Sequence, residues 1–133
     1  MRKTDREKIF NKYGGRCAYC GCVLQQDWQV DHKTPVYWFR MMNKEGVNAD
    51  ENLLPSDKKV NHYKRGSDAS LFRKTLSTLH LRVAKLPKNP YTEKGIKRKK
   101  YLLDIADKFG ITADKPFSGI FYFETHSRKS NHG

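Results

Sequence analysis

The sequence predicts an α+β fold: one short strand early, amphipathic helices through the second half, and an aromatic segment near the end. Three observations carry this. "DWQVDHK" alternates, with Trp28, Val30 and His32 on one side and Gln29 and Asp31 on the other, the period of a half-buried strand. Two later stretches, about 67–85 and 92–110, repeat apolar residues at helical spacing between cap and stop residues. "SGIFYFETH" is aromatic-rich and predicts a C-terminal strand.

The elements follow in order. "TDREKIFNKYGG" has Thr4 and Glu7 in capping-box spacing, an apolar stripe of Ile9, Phe10 and Tyr13, and Gly14-Gly15 as a stop, so it predicts a short helix. "RCAYCGC" is a tight, Gly-containing turn, and Pro35 ends regular pairing after the first strand because it lacks a ladder donor. "VYWFRMM" supplies a cluster that predicts core packing or a dimer seam, with insertion of apolar wedges into a nucleic-acid groove as the rival reading. "SDKKVNHYKRG" predicts a two-turn helix capped by Ser56 or Asp57 and stopped by Gly66. Leu71, Phe72, Leu76, Leu79 and Val83 predict a second helix running to about Lys85, and Ile96, Leu102, Leu103, Ile105, Ala106 and Phe109 a third, from Thr92 to Gly110.

The chain's 133 residues predict a single domain over 1–126, with a core at about 14–66, a helical extension at 67–126 and a loose tail at 127–133. No apolar run approaches the roughly 20 residues of a membrane span. The start lacks a secretory h-region. Three cysteines within six residues make a poor disulfide framework, which predicts a reducing, cytoplasmic setting. Lys plus Arg number 27 against 14 Asp plus Glu, and a formal charge of +13 predicts a polyanionic partner, nucleic acid being the commonest. Charge alone leaves ribosomal and anionic-membrane association open.

Four features then occur in order: Cys17-x-x-Cys20, Asp31-His32 at a strand end, Asn52 in "ENLLP", and Asn61 on the short helix. This order resembles the HNH endonucleases, whose ββα-metal unit of two strands and one helix grips one divalent ion. The resemblance covers about residues 14–66 and includes the nine-residue step from Asn52 to Asn61. The basic helical segment and the "FYFE" strand add a weaker likeness to small phage and bacterial members. It implies hydrolysis of DNA phosphodiester bonds with His32 as general base, Asp31 and Asn61 as ligands of one Mg²⁺ or Mn²⁺, and Asn52 as the residue that ties the loop to backbone groups.

The chemistry suits these residue types. A histidine with an unperturbed pKa near 6.5 is a base at neutral pH. A hard cation takes carboxylate and amide oxygens and keeps several waters. His62 is a rival ligand, since many family members use a histidine near this position. Adjacent strand residues point to opposite faces, so Asp31 and His32 converge only if the strand twists at its end. Asn52 remains open to reading as a turn cap, and Asn61 and His62 as solvated helix residues.

Zinc-bearing relatives carry a second C-x-x-C immediately before the helix asparagine, where this chain has Asp57 and Val60. Zinc wants four ligands, and the set on offer is Cys17, Cys20, Cys22 and Asp57 at most, so a structural Zn²⁺ is doubtful. A relic knuckle, its cysteines packed as small apolar residues against Val60, is the favoured reading. For the nucleic acid, Lys58, Lys59, Lys64 and Arg65 flank the ligand helix, and Lys97, Arg98, Lys99 and Lys100 form the densest basic run. The expected partner is DNA, with RNA open, and with no membrane. The alternatives to a free nuclease are a non-catalytic nucleic-acid-binding module, a homodimer, and a nicking subunit of a larger phage or restriction assembly.

Overall fold

The structure, a computed structural model, describes residues 2–126; the predicted loose tail at 127–133 lies outside them. The fold is α+β. In chain order it comprises α1 (Lys3–Phe10), a 3₁₀ turn (Asn11–Tyr13), β1 (Gln29–His32), α2 (Val36–Met41), a 3₁₀ turn (Asp50–Asn52), β2 (Leu53–Ser56), α3 (Lys58–Lys64), α4 (Ala69–Ser77), α5 (Leu79–Ala84), α6 (Glu93–Lys108) and α7 (Tyr122–Thr125). Packing divides it into two compact units, one running to Phe72 and resuming at Ile120, the other Arg73–Gly119. Among the described residues no helix is long and apolar enough to cross a membrane.

In the first unit β1 and β2 pair antiparallel, with Gln29 opposite Ser56, Asp31 opposite Leu54 and His32 opposite Leu53. Helix α3 follows β2 directly and packs on β1. Asp57 caps it, its carboxylate accepting from the Lys59 and Val60 N–H groups at 3.0 and 3.1 Å. That satisfies two donors that a helix start otherwise leaves orphaned. Tyr19 is fully buried under this layer, edge-on to Phe72 (5.5 Å) and Phe121 (5.1 Å). Edge-to-face packing of this kind adds about 0.5–1.5 kcal/mol per pair to area burial.

Several sequence expectations are corrected. The Thr4–Glu7 capping box does not form: α1 begins at Lys3 with Arg2 at the cap and no side-chain cap bond. No residue of α2 is buried, and Tyr37 and Met41 are more than half exposed, so "VYWFRMM" is not core. The helix expected to run to Lys85 breaks at Thr78 into α4 and α5. There Ser77 and Thr78 hydroxyls bond back to the Lys74 and Thr75 carbonyls, an alternative to the helical ladder. The third helix keeps its predicted start, with Thr92 Oγ1 accepting from Gly95 N–H at 3.0 Å.

The expected C-terminal strand is a helical turn, α7. Its Tyr122 and Phe123 N–H groups donate to the carbonyls of Tyr19 (3.1 Å) and Ala18 (2.7 Å) in the cysteine turn. The donors that a helix start leaves free are taken by another loop, which favours a turn over an extended strand there. Tyr122 also lies against Gly21, whose φ is +78° and whose added Cβ would stand 2.5 Å from the Tyr122 ring. Gly21→Ala is therefore expected to cost roughly 2–4 kcal/mol, from left-handed strain plus overpacking. In a Tyr122→Ala background only the strain, about 1–2 kcal/mol, should remain. Urea unfolding of the four proteins checks both values.

Candidate functional site

Gln29 and Asp31 lie on one face of β1, and both meet α3. Asn61 Nδ2 donates to Gln29 Oε1 at 2.7 Å, and Lys64 Nζ lies 3.1 Å from Asp31 Oδ2. The match follows from geometry: residues two apart on a strand share a face, and residues three apart on a helix share a side. Asp31 and Asn61 are thus brought to one β1–α3 seam.

Asp31 is 8 % exposed and holds two side chains, Tyr19 and Lys64. Tyr19 Oη donates to its Oδ2 at 2.5 Å, while Lys64 pairs with both carboxylate oxygens at 3.1 and 3.4 Å. Burial raises the Asp31 carboxyl above its usual range, and Lys64 and Tyr19 only partly oppose that. Burial, with the Asp31 charge beside it, also pushes the Tyr19 hydroxyl well up, so Tyr19 stays protonated and donates. Lys64 further donates to the carbonyls of His32 (3.3 Å) and Ser67. At 3 % exposure Lys64 is a buried counter-ion, which corrects its assignment as a phosphate-binding residue.

Asn61 completes the seam with an unusual feature. Its amide nitrogen is engaged by Gln29, but its Oδ1 is buried with no hydrogen-bond partner. A buried acceptor left without a donor costs about 1–3 kcal/mol. His62, the rival ligand, is exposed, turned about 100° from Asn61 by helical geometry.

His32 points elsewhere, as strand alternation requires. It is half-buried, and its Nε2 lies 3.0 Å from Asn48 Oδ1. An amide oxygen only accepts, so with Asn48 Oδ1 facing it Nε2 is the donor of this contact. No side-chain bond joins His32 to Asp31 or Asn61. Sequence reasoning missed Asn48, which stands in a polar loop with nothing local to mark it.

Asn52 has the geometry expected of it. It accepts from Thr34 N–H (2.8 Å) and donates to the carbonyls of Thr34 (3.0 Å) and Val47 (2.8 Å). These bonds clamp the segment after His32 to the loop that carries Asn48. A second clamp was not foreseen: Lys12, 1 % exposed, bonds the Asp50 and Leu53 carbonyls on either side of Asn52.

The cysteine turn forms without a second C-x-x-C. Cys17 is fully buried, and its amide donates to the Cys22 carbonyl at 2.8 Å while Ala18 N–H donates to the Pro55 carbonyl at 2.8 Å. Burial by itself would raise the Cys17 thiol, but hydrogen bonds from Cys20, Cys22 and the Asp57 N–H prevail and hold it well below the usual value. Sharing a proton with Cys17 raises Cys20 in turn and pushes Cys22 up to about 11. All three cysteines are free thiols. Val60, at 0 % exposure, is buried as expected. Asp57, the fourth ligand considered for zinc, is engaged as the α3 cap.

Comparison with known proteins returns no matching family, no matching curated protein and no matching solved structure. Among the described residues no group of three or more His, Cys, Asp or Glu is arranged to hold a metal ion. The oxygen donors available at the seam are therefore one carboxylate and the amide oxygens. Around it Lys58 and Arg65 are exposed and Lys59 half-buried. In the second unit, Lys97, Arg98 and Lys100 are exposed on α6, with Lys97 paired to Glu93 at 3.2 Å.

Proposed function

We propose that this chain is a metal-dependent endonuclease of the HNH type, acting on DNA phosphodiester bonds through a ββα-metal unit formed by β1, β2 and α3. The observation that supports it most is the orphaned Asn61 Oδ1, buried on the same seam as the Asp31 carboxylate. A buried acceptor without a donor suits a cation, and a hard divalent ion takes this kind of oxygen pair while keeping waters. Lys64 shares the carboxylate, but a carboxylate offers about four lone-pair sites, so capacity remains. Asp31 and Asn61 would hold the ion. Bound there, Mg²⁺ or Mn²⁺ supplies Lewis-acid stabilisation of charge on the phosphate and the departing oxygen.

The chain's own groups do the rest. His32 Nδ1 takes a proton from the attacking water as the new P–O bond forms. Asn48 Oδ1 accepts a hydrogen bond from Nε2–H and favours that tautomer. Asn52 holds the segment that carries both, and solvent reprotonates the departing oxygen. The exposed cations Lys58, Lys59 and Arg65 flank α3 and attract the phosphate backbone.

The Lys64–Asp31 pair favours a second reading, a non-catalytic nucleic-acid-binding module, because an internal ammonium already neutralises the carboxylate. One experiment separates the two. Supercoiled plasmid is incubated with purified protein and Mg²⁺ or Mn²⁺, with and without EDTA. Nicking that EDTA abolishes is expected. Retarded plasmid that stays uncut in both metals would leave only the binding module.

A further inference from the structure

The second unit carries a groove that the proposed hydrolysis does not use. It is a shallow, open depression of about 490 Å³ between the segment Lys88–Pro90 and one side of α6. Ile96, Lys99, Lys100 and Leu103 stand at helical spacing, so they share that side. Lys99 Nζ donates to the Lys88 carbonyl at 2.7 Å and ties the two walls. Ile96 and Leu103 remain 51 % and 40 % exposed, and the tyrosine that follows Pro90, Tyr91, is 95 % exposed. One carboxylate, Asp104, lies at the C-terminal end of the stripe.

We propose that this groove holds an unpaired nucleotide of a single-stranded nucleic acid, with its base on Ile96, Leu103 and Pro90 and its phosphates on Lys88 and Lys100. The occupant follows from two chemistries meeting in one place. Ammonium groups at the rim call for an anion, as does the run from Lys94 to Lys100, which has five basic residues and no acidic one. The floor calls for a flat apolar body. A duplex presents only phosphates to such a surface and keeps its bases stacked inside, so it gains nothing from the floor. An unpaired nucleotide offers both faces, and an exposed Tyr91 ring gives the neighbouring base a stacking platform. Asn89 lines the same groove with an amide that both donates and accepts, which suits a base edge. The inference deepens the proposed function by naming unpaired strands as a substrate class. It rests on that reading only in taking nucleic acid as the polyanion.

The test is run on the full chain in EDTA, where no cleavage occurs. Labelled oligothymidylate and a blunt-ended duplex of two annealed strands, matched in number of phosphates and without unpaired nucleotides, are titrated by fluorescence anisotropy. The single strand is expected to bind about tenfold tighter or better, and Tyr91→Ala to weaken it roughly 5- to 100-fold, the usual range for one stacked base. Duplex affinity should not change with Tyr91→Ala, which alters only an exposed side chain. Equal affinity for the two probes, or a Tyr91→Ala chain that binds both as before, would overturn the groove's assignment. Metal-dependent nicking alongside equal affinities would sink this inference alone. Single-strand preference with uncut plasmid would support the groove while removing the nuclease.

Discussion

The His32→Ala chain is expected to nick plasmid about two to four orders of magnitude more slowly than the parent, the usual contribution of a positioned general base. The expectation is specific because His32 is half-buried at a strand end with one side-chain partner, so its removal leaves the packed layers intact. Unchanged urea unfolding would establish that point. Asn48→Ala supplies the internal control. Without Asn48 the imidazole loses the group that keeps the proton on Nε2, and the loss should be smaller, about ten- to a hundredfold, as when an orienting partner of a functional histidine is removed. In the His32→Ala background the Asn48→Ala change should have no further effect, since a positioning residue acts only through the group it positions. An Asn48→Ala effect that persists without His32 would show that the asparagine does something else. Nicking that survives His32→Ala would end the general-base assignment.

Breaking the Asp31–Lys64 pair is expected to cost about 3–5 kcal/mol of stability from either side, because each change strands a buried charge. The Lys64 side chain is 1 % exposed and that of Asp31 9 %, so water cannot take over for the lost partner. The double variant Asp31→Asn/Lys64→Met should lose clearly less than the sum, with a coupling of about 1–3 kcal/mol in urea unfolding. Simply additive losses would mean that the two groups do not depend on each other.

The pH dependence has a defined sign. Burial holds the folded Asp31 carboxyl above its unfolded value, despite Lys64 and Tyr19. Between those two values the folded state binds the proton that the unfolded state releases, so this group's contribution to stability declines as pH rises through the window. In Lys64→Met the opposing charge is gone and the carboxyl rises further. The stability gap between parent and Lys64→Met should accordingly narrow as pH falls below the raised value, where Asp31 is neutral in both. A gap that widens on acidification would contradict the assignment of Lys64 as the counter-ion. The same result bears on function: an Asp31 variant that loses nicking is informative about ligation only where its fold survives.

Much of this protein is written locally. The alternation of "DWQVDHK" placed Asp31 and His32 on opposite faces of β1, and the structure sends one to α3 and the other to Asn48. The Ser56-Asp57 pair and Thr92 announced the starts of α3 and α6, with Asp57 the one that caps α3, because a cap bond reaches only two or three residues. The tethering role of Asn52 came from the family resemblance and not from its neighbours, since two of its three bonds reach Thr34, 18 residues away. The excess of basic over acidic residues is the ground for expecting a polyanionic partner, and it is read from composition alone.

Tertiary packing decided the rest. Lys64 sits in a run of basic residues and looks like one more phosphate contact, yet the turn of α3 against β1 buries it on a carboxylate 33 residues away. Lys12 is drawn inward in the same way by carbonyls 38 and 41 residues on. "FYFE" has strand composition, but the carbonyls of Ala18 and Tyr19 take its N–H groups and make it a turn of helix. Sequence patterns record which face a residue occupies and where an element starts, because those depend on neighbours within about one helical turn. Which buried charge meets which partner depends on how elements far apart in the chain are laid together, and only the assembled layers specify that.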